Sequence, residues 1–446
     1  MATQPYSKLF GCNVHDSIRV SPLALKIIDT AEFQRMRKIK QLALCQFIYP
    51  SATHTRFEHS LGVYHLAGKM LEKIRQQYPE REYVIAELSP NPTKLNDQIA
   101  EYIKIAGLVH DIGHGPFSHI FDDILLGGCQ HPNKDHETRS CLIIDMLCRR
   151  ELPELGSKAI AFIKSLINPQ KHHVGAIYQI ISNNLNGIDV DKFDYLGRDA
   201  KNLGLAIGFN PNRLLNEFII DRNGNIAYPK HCSSDIYEMF HSRYMMHKKV
   251  YSHKTVKMME LMLADIFQKI DPVFHLSQSI EDMEKFCRLT DDSIFYFIQT
   301  VVNPPPFIRP ELGAGHYKMV LEANELLQRI ITRNLYQQVL EIDQDLGSSA
   351  FSMFLLEKYA IKQSDFTICK IKAGFVSKST LDPFNFIYFY DKKENDQTFV
   401  VDKSRFSGMM NNNVEEIRWC IVSKNRDFNQ KILEGYKLYK DLLLSI

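Results

Sequence analysis

The sequence predicts a mainly α protein, with a large helical domain over residues 1–302 and a smaller C-terminal helical and α/β lobe over residues 303–446. Three observations carry this expectation. Apolar residues recur at three- and four-residue spacing through most of residues 20–300, the period of a helix with one buried face. The run Asn303-Pro304-Pro305-Pro306 then breaks the pattern, because proline lacks an amide hydrogen and clashes with the preceding turn. Beyond it, short stretches rich in β-branched and aromatic residues alternate with polar turns, as strands do.

Taken in order, Val63, Leu66, Met70 and Ile74 are spaced three, four and four apart and mark one helical face. Pro90-Asn91-Pro92 is a loop. Asn96 then stands as N-cap of a helix from Asp97 to Val109, whose Ile99, Ile103, Ala106 and Val109 share a face. A helical pattern resumes from Tyr317 to Arg333. Thr367–Lys372, Phe384–Tyr390, Thr398–Val401 and Ile417–Val422 read as strands, and Asn429–Leu444 as a final amphipathic helix.

Composition limits the function classes. With 446 residues, 45% of them apolar, the chain can bury a sizeable core. A net charge of +2 gives no overall field for a nucleic acid or a membrane surface. The nine cysteines are odd in number, scattered and never in CxxC, which points to a reducing compartment rather than a disulfide framework. No apolar run approaches the roughly 20 residues of a membrane span. Met1–Phe10 lacks the basic start and apolar stretch of a signal peptide. The expectation is a soluble intracellular protein, cytoplasmic or nuclear, with no membrane partner.

Histidine is concentrated early: His54, His59, His65, His110, His114, His119, His131 and His136. His110-Asp111 ends an apolar helix with two ligand-type residues in succession, His114 lies one turn on, and Gly115-Pro116 is expected to stop the helix. That leaves His119 on a loop able to fold back. A lone His-Asp pair is common without a metal. Here two more segments supply donors: His59 opens an amphipathic helix, and Asp191, Tyr195 and Asp199 lie four apart on another. His59, His110, Asp111 and Asp191 thus make a candidate set of metal ligands.

The pattern H…HD…D resembles the HD superfamily of metal-dependent phosphohydrolases. IIDTAEFQRMRKIKQL (27–42), THTRFEHSLGVYHLAG (53–68), HDIGHGPFSH (110–119), NGIDVDKFDYLGRD (186–199) and MFHSRYMMHKKVYSHKTV (239–256) are similar to the SAM-and-HD-domain deoxynucleoside triphosphate triphosphohydrolases. Similarity runs from about Lys8 to the end. The catalytic pattern begins almost at Met1, so no SAM domain is expected.

The resemblance implies an HD-domain helical phosphohydrolase core that splits dNTPs, dGTP among them, into deoxynucleoside and inorganic triphosphate. It implies one divalent transition metal (Fe, Mn, Co, Ni or Zn) on the four ligands and Mg²⁺ with the substrate triphosphate. His119 becomes the general acid, oriented by Asp122, with His114, His136 and Glu137 lining the same pocket. Arg56 and Lys192 would hold phosphates. Arg243, His247 and Tyr251, at i, i+4 and i+8 of one helix, would touch phosphates and sugar. Tyr195 and Asp199 would read the deoxyribose, and Gln41 and Leu42 would lie near its 3′-hydroxyl.

A regulatory set is implied as well. Asp29, Gln34 and Arg37 match a guanine-reading trio, Lys8 and Arg333 match cations on a GTP or dGTP activator, and Arg213, His253 and Lys254 belong to the same nucleotide sites. The assembly would be a homodimer or homotetramer. Asp235, Lys249 and Gln337 depart from the family pattern, and no Arg-x-Lys is clear near Pro229-Lys230-His231. These departures weaken the case for two bound activators. The alternatives are another HD-type reaction (a 5′-nucleotidase or a phosphodiesterase), or a non-catalytic protein that binds nucleotide or nucleic acid.

Overall fold

The structure, a computed structural model, describes residues 7–307, 311–342, 348–374, 382–403, 406 and 415–444, and its helices start where the sequence supplies caps. Strands β1 (Lys8–Cys12) and β2 (Asp16–Val20) form an antiparallel hairpin in which Lys8 faces Val20. Helix α1 (Pro22–Ile28) begins on Ser21, whose side chain accepts from the Ala24 amide, with proline at its first position. The short α2 (Ala31–Gln34) begins on Thr30 in the same way. Helix α3 (Arg56–Gln77) starts with a Thr55/Glu58 capping box. After the small β3 (Glu82–Tyr83) and β4 (Thr93–Lys94) pair, α4 (Asp97–Val109) starts on Asn96, as expected.

Helices α5 (His136–Glu151), α6 (Ser157–Ile167) and α7 (Val190–Leu203) follow. Asp189 caps α7, and Gly204 ends it at φ 66°, a left-handed conformation that glycine adopts without strain. Then come α8 (Asn212–Glu217), β5 (Ile219–Ile220), β6 (Ile226–Pro229), α9 (Ser233–Met246), α10 (Lys254–Phe274), α11 (Met283–Phe286), α12 (Asp291–Val302) and α13 (Ala314–Ile331). The remainder is β7 (Gln337–Ile342), α14 (Ser348–Tyr359), β8 (Phe366–Gly374), β9 (Tyr388–Asp391), β10 (Glu394–Val400), β11 (Glu415–Ser423) and α15 (Asn429–Leu444). The fold class is mainly α, as the sequence predicts. Within the expected strand Phe384–Tyr390, Pro383–Phe386 is a 3₁₀ turn started by Asp382 and proline, so the strand begins at Tyr388.

The residues group into two compact units, each drawn from three stretches. The first comprises Met1–Arg243, Ser277–Ile294 and Phe375–Asn412. In it α3 packs on α4 and α7, with Val63, Leu66, Met70 and Ile74 buried. Its largest sheet runs β10-β9-β6-β5, with β9 parallel to β6. The second unit comprises Tyr244–Leu276, Phe295–Gly374 and Asn413–Ile446. There α10 packs on α13, and the sheet β7-β11-β8 shares a core of Ile342, Phe351, Leu355, Ile361, Phe366, Ile421 and Ile432. Among the described residues no helix is long and apolar enough to cross a membrane.

Candidate metal centre and active site

The chain delivers His110 and Asp111 just past the end of α4. Helix α4 ends at Val109, the bound its spacing predicts, with His110 as C-cap and no further helical turn to Gly115-Pro116. Side chains take the carbonyls that another turn would use. Buried Arg35 donates to the carbonyls of Ile112 at 3.2 Å, His114 at 2.6 Å and Leu289 at 2.7 Å. Arg139 Nε donates to the Gly113 carbonyl at 2.9 Å, and Ser140 Oγ to that of His110 at 2.6 Å. Gly113 has no substitute here, since a Cβ would lie 2.2 Å from the His136 carbonyl oxygen.

Phe117 and Ser118 come next at φ 58° and 55°, a conformation that costs non-glycine residues about 1–2 kcal/mol each. Two contacts hold them there. The Phe117 amide donates to Asp291 Oδ1 at 2.7 Å, and Arg56 Nε donates to Ser118 Oγ at 2.8 Å. His119 then opens a helical turn, not a loop, that runs into a π segment at Phe121–Leu125.

Four donors converge on this frame. His59 Nε2 lies 3.0 Å from Asp191 Oδ1 and 3.7 Å from Asp111 Oδ2. His110 Nε2 lies 3.3 Å from Asp111 Oδ1 and 3.5 Å from Asp191 Oδ1. Both rings are oriented from behind. His59 Nδ1 is 2.8 Å from Asp194 Oδ2, and His110 Nδ1 is 2.8 Å from the Gly107 carbonyl. These partners only accept, so each Nδ1 carries a hydrogen and each Nε2 faces the centre. His110 Nε2 is buried without a hydrogen-bond partner. Two imidazole nitrogens and two carboxylates, one nitrogen unsatisfied, fit a divalent ion.

With no ion, the carboxylates favour a proton on these rings. Burial pushes the His59 pKa down, but hydrogen bonds to Asp191 and Asp194 outweigh it and bring the value to about 10. His110 is raised as well, Asp111 and Asp191 prevailing over burial. Asp111 is held well below the usual carboxylate range: burial opposes this, and Arg56, with which it forms a buried ion pair, His110 and His114 overcome it.

On the other side of Asp111, the rings of His114 and His136 stack at 3.8 Å, with His119 at 5.4 Å and 5.9 Å from them. His114 Nε2 is 3.4 Å from Asp111 Oδ1. His119 is solvent-exposed within this crowded setting, and desolvation, His136 and Arg56 together push its pKa down to about 4. Asp122 accepts hydrogen bonds from His136 Nδ1 at 3.0 Å and from Arg139, not from His119. Glu137 Oε2 lies 3.5 Å from His136 Nδ1.

Along α7, Tyr195 presents its ring 6.4 Å from that of His59, and buried Asp199 accepts from His54 Nε2 at 2.7 Å. The Gln41 amide donates to the His54 carbonyl at 3.0 Å, its Oε1 is buried without a partner, and Leu42 is buried beside it. Lys192 Nζ is 2.9 Å from Asp189 Oδ2. Arg243 is buried on α9, in the same unit. His247 and Tyr251 belong to the second unit, on a π segment, His247–Tyr251, where the Ser252 amide reaches the His247 carbonyl at 2.8 Å. This wider turn interrupts the expected stripe at i, i+4 and i+8.

The proposed regulatory residues are mostly satisfied by the chain itself. Arg37 lies 3.5 Å over the Phe57 ring and donates to Gln34 Oε1 at 2.8 Å, and Gln34 Nε2 donates to the Ile28 carbonyl at 2.8 Å. Asp29 is exposed at the C-cap of α1, and Lys8 Nζ lies 5.2 Å over Phe10. Arg213 pairs with Asp235 at 3.1 Å and with Glu217 at 3.3 Å. Glu217 also binds His231 at 2.8 Å and Lys392 at 2.7 Å. In the second unit His253 caps α10, Lys254 is its first residue, and Arg333 sits at φ 64° with Nη1 3.6 Å from Met259 Sδ.

Sequence reasoning missed Asp194, His54 and His15. Asp194 had a signal, three residues after Asp191 on the same helix. His54 lies within the motif of His59. His15 had none, being 179 residues from its partner Asp194.

Comparison with known proteins agrees with this geometry. The HD domain family matches residues 56–199, the span from Arg56 to Asp199. The chain is 54% identical over 430 residues to the putative HD domain-containing protein L394 of Acanthamoeba polyphaga mimivirus, covering 95% of this chain and 94% of that protein. It is 33% identical over 452 residues to the deoxynucleoside triphosphate triphosphohydrolase SAMHD1 homolog of Dictyostelium discoideum, covering 98% and 82%. It is 30% identical over 480 residues to the SAMHD1 of Gallus gallus, covering 95% and 73%. An HD core with its donors gathered, and likeness along nearly the full chain, place this protein in the family of the SAMHD1 deoxynucleoside triphosphate triphosphohydrolases.

Proposed function

We propose that this chain hydrolyses deoxynucleoside triphosphates, dGTP among them, to deoxynucleoside and inorganic triphosphate. The observation that carries the reading is the unsatisfied His110 Nε2 among His59, Asp111 and Asp191, next to the cation Arg56 and the exposed His119. A divalent ion held by the four donors would polarise a phosphoryl oxygen and lower the pKa of bound water. Iron, manganese, cobalt, nickel and zinc all suit mixed nitrogen and carboxylate donors, and Mg²⁺ would accompany the triphosphate.

The rest is the work of side chains. Water attacks the α-phosphorus, the bond from phosphorus to the 5′-oxygen breaks, and that oxygen needs a proton. His119 would supply it. In the free protein its low pKa leaves it neutral at pH 7, and the roughly four negative charges of a bound triphosphate would raise that pKa and arm the acid. Arg56, Lys192 and Arg243 would offset phosphate charge. Tyr195 and Asp199, the latter steadied by His54, would hold the sugar.

Guanine-nucleotide activation at Asp29, Gln34 and Arg37 belongs to the same proposal, as does assembly into a dimer or tetramer. Against a second activator stand Asp235 and Glu217, which already neutralise Arg213. The test is incubation with each dNTP, with and without GTP, separating products by anion exchange and sizing the protein in parallel. Inorganic triphosphate with free deoxynucleoside supports the reading. Monophosphate with pyrophosphate overturns it.

A further inference from the structure

The β1–β2 hairpin sends one polar side chain to the back of the metal centre. We propose that His15, at the hairpin tip, is a positioning residue for the ligand His59 and acts through Asp194. The inference rests on reading His59 as a ligand and adds a residue which that reading does not use.

An ionised carboxylate has two oxygens and about four acceptor positions. At the fully buried Asp194 all four are filled. Arg198 donates Nε to Oδ2 at 2.7 Å and Nη2 to Oδ1 at 2.9 Å. His59 Nδ1 is 2.8 Å from Oδ2, and His15 Nε2 is 2.7 Å from Oδ1. The Arg198 fork fixes the carboxylate plane. His15 occupies Oδ1 and leaves the last position on Oδ2 to His59. Without His15, the buried Oδ1 loses one of its two donors. The carboxylate then turns to recover hydrogen bonds, and His59, tied to it, swings its Nε2 off the centre.

The surroundings are built around this contact. Gly62 of α3 is obligatory, because a Cβ there would lie 1.8 Å from Asp194 Oδ1 and 2.5 Å from Arg198 Nη2. The hairpin tip is fastened to α7 at separate points. Cys12 Sγ accepts from Arg198 Nη2 at 3.6 Å and from the His15 amide at 3.4 Å. Asn13 Nδ2 donates to Asn202 Oδ1 at 3.3 Å, and the Lys201 ammonium donates to the Asn13 carbonyl. The His15 ring rests against His65, centroids 5.1 Å apart.

The test titrates metal-free protein with Co²⁺, whose visible absorption reports ligand geometry. Wild type is compared with His15→Leu, His15→Gln, His15→Asn and His110→Ala. Glutamine carries an N–H about as far as imidazole Nε2 does, whereas asparagine falls one methylene short. A direct partner of a metal-bound histidine is worth about 10–100-fold in affinity, so a residue one step behind should be worth roughly 3–10-fold. We expect His15→Leu and His15→Asn to bind Co²⁺ that much more weakly with an altered spectrum, and His15→Gln to stay within about twofold of wild type. Wild-type affinity and spectrum in His15→Leu would overturn the proposal, as would equal damage in His15→Gln, which would mean the ring only packs. If His15→Leu does not fold, as judged by its melting curve, the glutamine and asparagine pair decides. Unchanged Co²⁺ binding by His110→Ala would instead sink the metal reading itself.

Discussion

The metal centre and the cluster around Arg213 are both made of opposed charges, yet they end in opposite states. At the centre, Asp111, His59 and His110 are oriented from behind by Arg56, Asp194 and the Gly107 carbonyl, Asp191 faces both rings, and one buried nitrogen is left unsatisfied. Around Arg213, each cation already has a carboxylate: Asp235 and Glu217 for Arg213, and Glu217 again for His231 and Lys392. A buried donor without a partner is stored binding capacity. An exposed, neutralised cluster stores little, because an incoming anion must first displace a carboxylate and salt screens what remains. Charged residues at matching positions therefore do not amount to a matching site.

The largest effect should come from Asp111→Ala. Asp111 faces His110, His114 and Arg56, so its loss should take bound metal and triphosphate release to background. Metal analysis showing full occupancy in this variant would break the comparison at its stronger end. His119→Ala should keep the metal and slow kcat by roughly 10²- to 10⁴-fold. In the wild type, the free ring near pKa 4 and a triphosphate that raises it predict that kcat holds to higher pH than kcat/KM. Coincident profiles would show that substrate charge does not reach the ring.

A smaller effect comes from pH alone. With the His59 pKa raised to about 10, the ion-free site carries a proton there at every pH below that value. A metal must displace it, so affinity falls as pH falls, by about tenfold per unit for one proton between pH 8 and 6. A flat metal titration over that window would contradict the proton count. The smallest effect is expected for Asp235→Asn. It releases one of the two carboxylates on Arg213 and should barely move the melting temperature, since the pair is exposed. It should make turnover more responsive to GTP with dNTP than in wild type. An unchanged response would show that Asp235 is not what occupies Arg213.

Local patterns were readable from sequence wherever one element decides the outcome. Asn96 capping α4 and the span of α15 follow from composition and spacing alone. Strands β8 and β11 do as well, within a few residues. Strand β7, QQVLEI, begins with two glutamines and among the described residues pairs only with β11, so its strand character comes from its partner. The four candidate ligands were legible as motifs. The end of α4 at Val109 was legible too, but the partners of the carbonyls just beyond it were not, because Arg35, Arg139 and Ser140 lie far along the chain from them. Nor was the choice of Asp122 for His136 over His119, which the Arg139 contact enforces.

The parallel pairing of β9 with β6 has a consequence for synthesis. All four candidate metal donors have been synthesised once Asp191 is made, but β9 begins only at Tyr388. Until then β6 lacks the neighbour that covers one of its edges. The loop before α7 also waits, because Asn186 donates to the Phe386 carbonyl at 2.9 Å, and Tyr390 closes onto the Glu217 carbonyl at 2.8 Å. A nascent or truncated chain holding all four ligands would still expose an open strand edge, a template for sticking to its neighbours. The segment that carries the four candidate ligands is thus made well before the strand that covers its sheet, and its yield should depend on the residues around Phe386–Tyr390 arriving in time.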